Sequence, residues 1–451
     1  MPVQKKHTHM KPTRIIVISF LLIILFGTLL LTLPISSKNR EFTPVLDSLF
    51  TATSATCVTG LVIHDTGAYW SMFGQCIILL MIQLGGLGIV SFAMFFNFAL
   101  GRKLGLKSMQ LASESIGSDD FSTIKELVKT VFKISMSCEL LGMLSLMTVF
   151  VPQYGTYGIY ISLFLSVSAF CNAGFDILGF ENEYISLTNY ADNPVVMITI
   201  MLLIICGGLG FIVWNDLFAY KKTKKLYLHT KIVLLATVIL IVVGALGVGI
   251  MEWNNQETIG KLSISQKISR AIFQSVTFRT AGFNTFNTTK MYDGTKLLAS
   301  ALMFIGAAPG STGGGIKITT FVVLMATVYN VIRNRHDTII LKRRVDKEVV
   351  YKALAITVLA GLAVVITTCI IGIDKHGFKT VDIIFETSSA MATVGISAGI
   401  SKLASPLSKI VLMLTMFLGR VGPVSLAYSI TAGFANQKKN EIIPEGKIIV
   451  G

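Results

Sequence analysis

The order of its apolar segments constrains this chain more than any other feature. Long apolar runs fall at about 14–35, 72–100, 127–151, 194–219, 230–251, 296–331, 350–373 and 407–434. A shorter, semi-polar stretch lies between the members of each successive pair, at about 44–59, 159–173, 266–281 and 380–394. Runs beyond about 18 apolar residues can cross a bilayer as helices. The short stretches hold about 14 residues, so as helices they reach roughly 21 Å, too little for a hydrocarbon core of about 30 Å. They read as re-entrant half-helices. Long, short, long, four times over, predicts an all-α polytopic membrane protein of four fused helix–half-helix–helix repeats, with eight spanning and four re-entrant pore helices around one central pore.

The expected division is a cytoplasmic tail at 1–13, pore repeats at 14–100, 101–220, 221–335 and 336–435, and a second tail at 436–451. Composition agrees. Of the 451 residues, 53% are hydrophobic and 14% charged, which excludes a soluble enzyme, where about a quarter would be charged, and excludes a disordered chain. The net charge of +15 sits in short basic clusters between apolar runs, so there is no basic domain to hold nucleic acid. The six cysteines form no CxxC pair, which argues against a metal or disulfide framework. The first apolar run is too long for a signal-peptide core and reads as a retained helix.

The repeats agree residue by residue. The four short stretches end FTATSATCVTG (50–60), FLSVSAFCNAG (164–174), IFQSVTFRTAG (272–282) and FETSSAMATVG (385–395). Each has a large apolar residue ten positions before its glycine, small and hydroxyl residues between, and a bulky apolar residue after it: Leu61, Phe175, Phe283 and Ile396. The second long run of each repeat echoes the pattern with GGLG at 85–88, GGLG at 207–210, GAAPG at 306–310 and GRVGP at 419–423.

Basic clusters (the N-terminus; Arg102, Lys103 and Lys107; Lys221 to Lys225; Arg333 to Arg344; Lys438 and Lys439) fall on one side of the expected topology. That side is cytoplasmic by the positive-inside rule, with both termini, and the half-helices then dip from outside. Four half-helices around one axis would point their partly negative C-termini at it, favouring a cation. Glycine after each lets backbone carbonyls turn inward, and rings of carbonyls replacing a hydration shell are the chemistry of potassium selectivity. Non-helical backbone at membrane depth is tolerated only inside protein or beside water. No Ser–His, Asp–Asp or metal-ligand constellation stands at membrane depth, which argues against an enzyme. No polar midplane pocket of the kind a larger solute needs is evident.

On these motifs the chain, over about 14–435, resembles the membrane subunits of bacterial Ktr potassium transporters, in the Trk/Ktr/HKT superfamily. The resemblance implies uptake of potassium across the bacterial cytoplasmic membrane, with sodium as a candidate coupling ion. It also implies a homodimer with one pore per chain, above a cytosolic KtrA/KtrC-like ring of regulatory subunits that bind the nucleotide; the chain itself carries no cofactor and no nucleotide-binding fingerprint. Val58, Thr59, Gly60, Asn172, Ala173, Gly174, Thr280, Ala281, Gly282, Thr393, Val394 and Gly395 would line the selectivity filter. In plant relatives, serine at the first filter glycine goes with sodium transport, so Gly60 favours potassium.

The stretch GAAPGSTGGG at 306–315 (Gly306, Ala307, Ala308, Pro309, Gly310, Ser311, Thr312, Gly313, Gly314, Gly315) interrupts an apolar run of about 36 residues. As one helix that run would extend roughly 54 Å, too long for a span, and Pro309 with five glycines forbids regular helix. A loop is expected there, below the filter, resembling the family's intramembrane gate. Arg420 reads as a barrier beside that gate or as a donor to buried loop carbonyls; Lys317 is gate-associated or snorkels to the cytosol. Arg279 is expected to steady the filter backbone, Glu139 to be satisfied by neighbours, and Asp47, Asp382 and Glu386 to complement half-helix N-termini. Asp65 and Asp176 are candidates for the outer mouth.

Overall fold

The structure, a computed structural model, describes residues 12–88, 91, 124–373, 377–423 and 426. The tail at 436–451, almost all of 1–13, and the basic loop with Arg102, Lys103 and Lys107 lie outside the described residues. Repeat one comprises α1 (Pro12–Thr32), half-helix α2 (Val45–Thr56) and α3 (Met72–Leu87). Repeat two comprises α4 (Ile124–Tyr154), half-helix α5 (Thr156–Phe170), α6 (Pro194–Gly208) and its continuation α7 (Phe211–Thr223). Repeat three comprises α8 (Leu228–Glu252), half-helix α9 (Ile264–Thr277), α10 (Asp293–Phe304) and α11 (Ile318–Ile332). A two-stranded hairpin, β1 (Ile339–Ile340) and β2 (Arg343–Arg344), leads to repeat four: α12 (Lys347–Ile371), half-helix α13 (Thr380–Ala392) and α14 (Pro406–Val421).

The first helix of every repeat is long and apolar enough to cross a membrane: α1, α4, α8 and α12. The second helix behaves differently. In repeat two it turns by 93° between α6 and α7, at Gly210 (φ 88°). Helices α3 and α14 stop at Gly88 and Gly422, which share that backbone conformation (φ 81° and 90°). In repeat three the break widens to a loop at 305–317. The sequence predicts a break only in repeat three, because the apolar run continues unbroken through Gly88 and Gly210.

Local chemistry sets the starts of these second helices. Asn193 accepts from the amides of Val195 and Val196 (3.0 and 3.3 Å) ahead of Pro194; Ser71 and Ser405 cap α3 and α14 in the same way. Half-helices α2, α5, α9 and α13 run 12, 15, 14 and 13 residues, or about 18–23 Å.

Outer faces are apolar. Leu22, Phe26 and Leu29 on α1, Val238 and Leu246 on α8, and Leu362 and Val365 on α12 are exposed, whereas the half-helices bury serines and threonines along their last turns. This inversion of the soluble pattern suits a hydrocarbon solvent. Each half-helix also packs against the second helix of the preceding repeat: α5 on α3, α9 on α6, α13 on α10, and α2 on α14. The last contact closes the four repeats into a ring.

Candidate functional site

The twelve residues expected around the four glycines meet at the centre of that ring. The first residue of each trio (Val58, Asn172, Thr280 and Thr393) is left-handed, with φ of 58°, 59°, 77° and 51°. The third, Gly60, Gly174, Gly282 or Gly395, has φ of 91°, 71°, 87° or 93°. Left-handed backbone costs an L-residue about 1–2 kcal/mol, and Val58, Thr280 and Thr393 are β-branched, the type that resists it most. Four repeats holding one unfavoured conformation mark a place where surrounding structure dictates the backbone.

The glycines show how the segments meet. A Cβ built on Gly174 would stand 2.7 Å from the Ala281 carbonyl oxygen, and one on Gly282 would stand 2.6 Å from that of Val394. On Gly60 and Gly395 it would collide with the carbonyl oxygens of Ala173 and Thr59. Each glycine therefore abuts the middle carbonyl of the next segment in chain order, and the fourth returns to the first. The four half-helices end at this ring, so their unpaired last carbonyls and partial negative charge converge on it.

Hydroxyl groups brace the ring from behind. Ser54 and Ser389 Oγ accept from the amides of Gly60 and Gly395 (3.1 and 3.0 Å). Ser168 donates to the Phe175 carbonyl (2.6 Å), and Thr277 to that of Phe283 (2.8 Å). The three serines share one register, six positions before the glycine, a match that was readable in the sequence.

On the glycine side lies a cavity of about 480 Å³ lined by all four glycines together with Asp65, Asp176, Glu183 and Lys402. Asp65 is committed to structure: its oxygens accept from the amides of Ala68 (2.8 Å) and Tyr184 (2.7 Å). Asp176 accepts from the Leu178 amide (3.1 Å). Burial first, and then the charge of Asp65, raise the Asp176 carboxyl to about 7.

On the opposite side sits the loop at 305–317. It is pinned at its base by Gly306 N–H to Ile316 O (2.8 Å) and to repeat two by Phe211 N–H to Gly310 O (2.8 Å) and Ala308 N–H to Gly208 O (3.0 Å). Its Thr312, Gly313 and Gly314 press on the first residues of three trios. Asn172 Nδ2 donates to Thr312 Oγ1 (3.1 Å). A Cβ on Gly313 or Gly314 would collide with Thr280 Oγ1 or Thr393 Oγ1. Ser311 donates within the loop to the Ala308 carbonyl (2.6 Å).

Lys317 turns back and donates to the Gly313 carbonyl (2.7 Å) instead of snorkelling away. Arg420 donates to the carbonyl of Thr312 and to those of Gly85 and Gly86, fastening the loop to repeat one, the repeat whose trio Thr312, Gly313 and Gly314 do not press upon.

The other singled-out residues are placed as follows. Glu139 is buried and takes both N–H···O contacts from Gln83 Nε2 (3.1 Å each). Gln83, a lone amide in an apolar run and so without a pattern to mark it in the sequence, also accepts from Cys171 Sγ (3.4 Å), beside the second trio. Asp47 bridges Lys409 (2.9 Å) and His64 (3.0 Å), and Asp382 pairs with Lys296 (2.6 Å). Glu386 is fully buried and does not serve an N-terminus: it accepts from Ser397 Oγ (2.8 Å) and from the amides of Ala398 (2.8 Å) and Ser401 (3.0 Å), holding the chain beyond Gly395. Arg279 is buried beside Gly208 and Ala307, and among the described residues its Nε has no hydrogen-bond partner.

Comparison with known proteins gives a concordant result. Over residues 3–440 the chain matches the TrkH family, described as "Cation transport protein". It is 38% identical over 450 residues to the Ktr system potassium uptake protein B of Bacillus subtilis (strain 168), covering 99% of this chain and 98% of that protein. It is 34% identical over 458 residues to the potassium/sodium uptake protein NtpJ of Enterococcus hirae, covering all of both chains. Its fold matches the crystal structure of the potassium transporter TrkH from Vibrio parahaemolyticus with a TM-score of 0.73 at 18% identity, over 96% of this chain and 87% of that one. Together with the four-repeat ring, these matches establish that the chain belongs to the TrkH/Ktr family of membrane cation transport proteins.

Proposed function

We propose that this chain takes up potassium through the ring closed by its four glycine trios, across the bacterial cytoplasmic membrane. The observation that carries this reading is the cyclic approach of each glycine to the middle carbonyl of the next segment. Four carbonyl-bearing segments at the ends of four half-helices offer a desolvated cation both oxygen ligands and a favourable field. Transport is downhill, driven by the membrane voltage at about 2.3 kcal/mol per charge per 100 mV. The relatives named for potassium uptake support the choice of ion. Sodium is a second substrate or coupling ion to test, because one full-length relative is named for uptake of both ions.

The loop at 305–317 is the gate. It packs on three trios, is tied to repeat one by Arg420 of α14, and with that arginine and its own Lys317 sets two cations against a passing ion. Release is the task of a cytosolic nucleotide-binding partner, in keeping with relatives named as parts of a Ktr system. Helix α11 starts directly after Lys317 and ends at the basic segment 333–347. Movement imposed there would reach the loop along a rigid rod of about 22 Å. The reading also places both termini in the cytoplasm, the 480 Å³ cavity outside, and two such chains in a homodimer.

The test is cation uptake in cells lacking their own potassium uptake systems, with the regulatory subunit supplied. Potassium-preferring uptake that Gly60→Ser weakens or shifts toward sodium is the expected result. Sodium-preferring uptake by the unmodified chain would transfer the reading to the second ion, and absence of any cation flux would end it.

A further inference from the structure

The buried hydroxyl of Thr312 has two neighbours: Asn172 Nδ2 at 3.1 Å and the Phe170 carbonyl oxygen at 3.0 Å. A carbonyl only accepts, so the single hydroxyl proton goes to Phe170. What remains on Thr312 Oγ1 is acceptor capacity, which only the NH₂ edge of Asn172 can meet. The orientation of the Asn172 amide is thereby fixed by hydrogen-bond logic, with Oδ1 facing away from Thr312. Among the described residues Asn172 Oδ1 has no hydrogen-bond partner, and neither do Thr280 Oγ1 and Thr393 Oγ1. These three atoms belong to the same position of three consecutive trios, and all three residues are fully buried. Val58 fills the matching position of the first trio and brings no oxygen.

Three buried oxygens at one register position of the ring, each without a hydrogen-bond partner, are unfavourable unless something binds them. We propose that they form a cation site at the loop-side end of the ring, and that Thr312 is its positioning residue, turning the oxygen of Asn172 toward the ion and the NH₂ away. This rests on the ring being the cation pathway. The loop then does more than obstruct: while docked it completes the ligand set, and withdrawal of Thr312 frees the Asn172 amide to rotate. Cation binding here and loop docking favour one another, and by linkage each strengthens the other equally.

The test uses the purified full-length protein without its regulator and follows thermal stabilisation by potassium, sodium or choline chloride at constant ionic strength. The unmodified protein is expected to show potassium-dependent stabilisation. Thr312→Val should raise the potassium midpoint at least about tenfold, a loss of about 1.4 kcal/mol, whereas Thr312→Ser should leave it unchanged. The double variant Thr312→Val with Asn172→Thr should recover much of the affinity, because a hydroxyl oxygen, as in the third and fourth trios, needs no partner to orient it. A Thr312→Val protein that melts lower in choline yet keeps the original potassium midpoint would overturn the proposal. Loss of stabilisation by every cation in the unmodified protein would instead remove the ring reading beneath it.

Discussion

The two faces of the ring differ in symmetry. On the glycine face four repeats adopt one backbone conformation, and each glycine meets the next segment's carbonyl. On the loop face, among the described residues, repeat three alone opens into a loop, and its contacts are unequal: an amide from Asn172, hydroxyl-bearing neighbours in Thr280 and Thr393, and an arginine tether to repeat one. Equal constraints on four segments suit a coordination shell, where every position must present an oxygen at the same level. A movable part has the opposite requirement, since one element must be able to leave without dismantling the other three. The difference teaches that selection and gating are divided between repeated and unrepeated sequence.

Equivalence of the four glycines is the property most open to attack. Alanine at Gly60, Gly174, Gly282 or Gly395 combines a left-handed penalty with overpacking against a carbonyl, together about 2–5 kcal/mol, so uptake should fall about 30-fold or more at every position. Uptake assays on the four variants check this; one tolerant position would break the symmetry. Next in size is Arg420→Gln. Losing charged hydrogen bonds that join the loop to repeat one removes about 2 kcal/mol from the docked state, so uptake without the regulator should rise about 30-fold. Gly313→Ala and Gly314→Ala push the loop off Thr280 and Thr393; regulator-free uptake should rise about tenfold, opposite in sign to alanine on the ring. The same residue type, changed in the same way, thus separates the two faces.

Much of this division is legible in the sequence. The four short stretches, their glycines and the interrupted run at 306–315 follow from length and periodicity, because lipid requires spans of a fixed length and glycine-rich segments cannot stay helical. The turn at Gly210 is not legible, since hydropathy reports which solvent a segment meets and not the direction of its axis. Nor are the contacts of Arg420 with Gly85 or of Asn172 with Thr312, whose partners lie 335 and 140 residues apart. Nor is the role of Glu386, whose partners, from Ser397 to Ser401, lie beyond the ring and are brought back to it only by folding.

A smaller effect is expected at the outer cavity. Asp176, near Asp65, Glu183, Tyr184, Ser186 and Lys402, titrates at about 7. Below that pH it is neutral and the mouth loses one negative charge, so KM for potassium should rise about two- to fivefold as external pH falls from 8 to 6. Asp176→Asn should hold the higher KM throughout, and uptake kinetics at the two pH values decide this. Smallest is Ser389→Ala, which removes one brace behind Gly395 and should cost about 1 kcal/mol, read as a lower Tm in detergent with potassium preference retained.

The central claim is that the middle carbonyls of the four segments bind the transported ion. Anomalous diffraction from crystals containing rubidium or thallium in place of potassium tests it most directly. Ion density on the ring axis, level with the carbonyls of Thr59, Ala173, Ala281 and Val394, is the predicted result. A fully occupied ion elsewhere at membrane depth, such as beside Glu139, with the ring axis empty would contradict it.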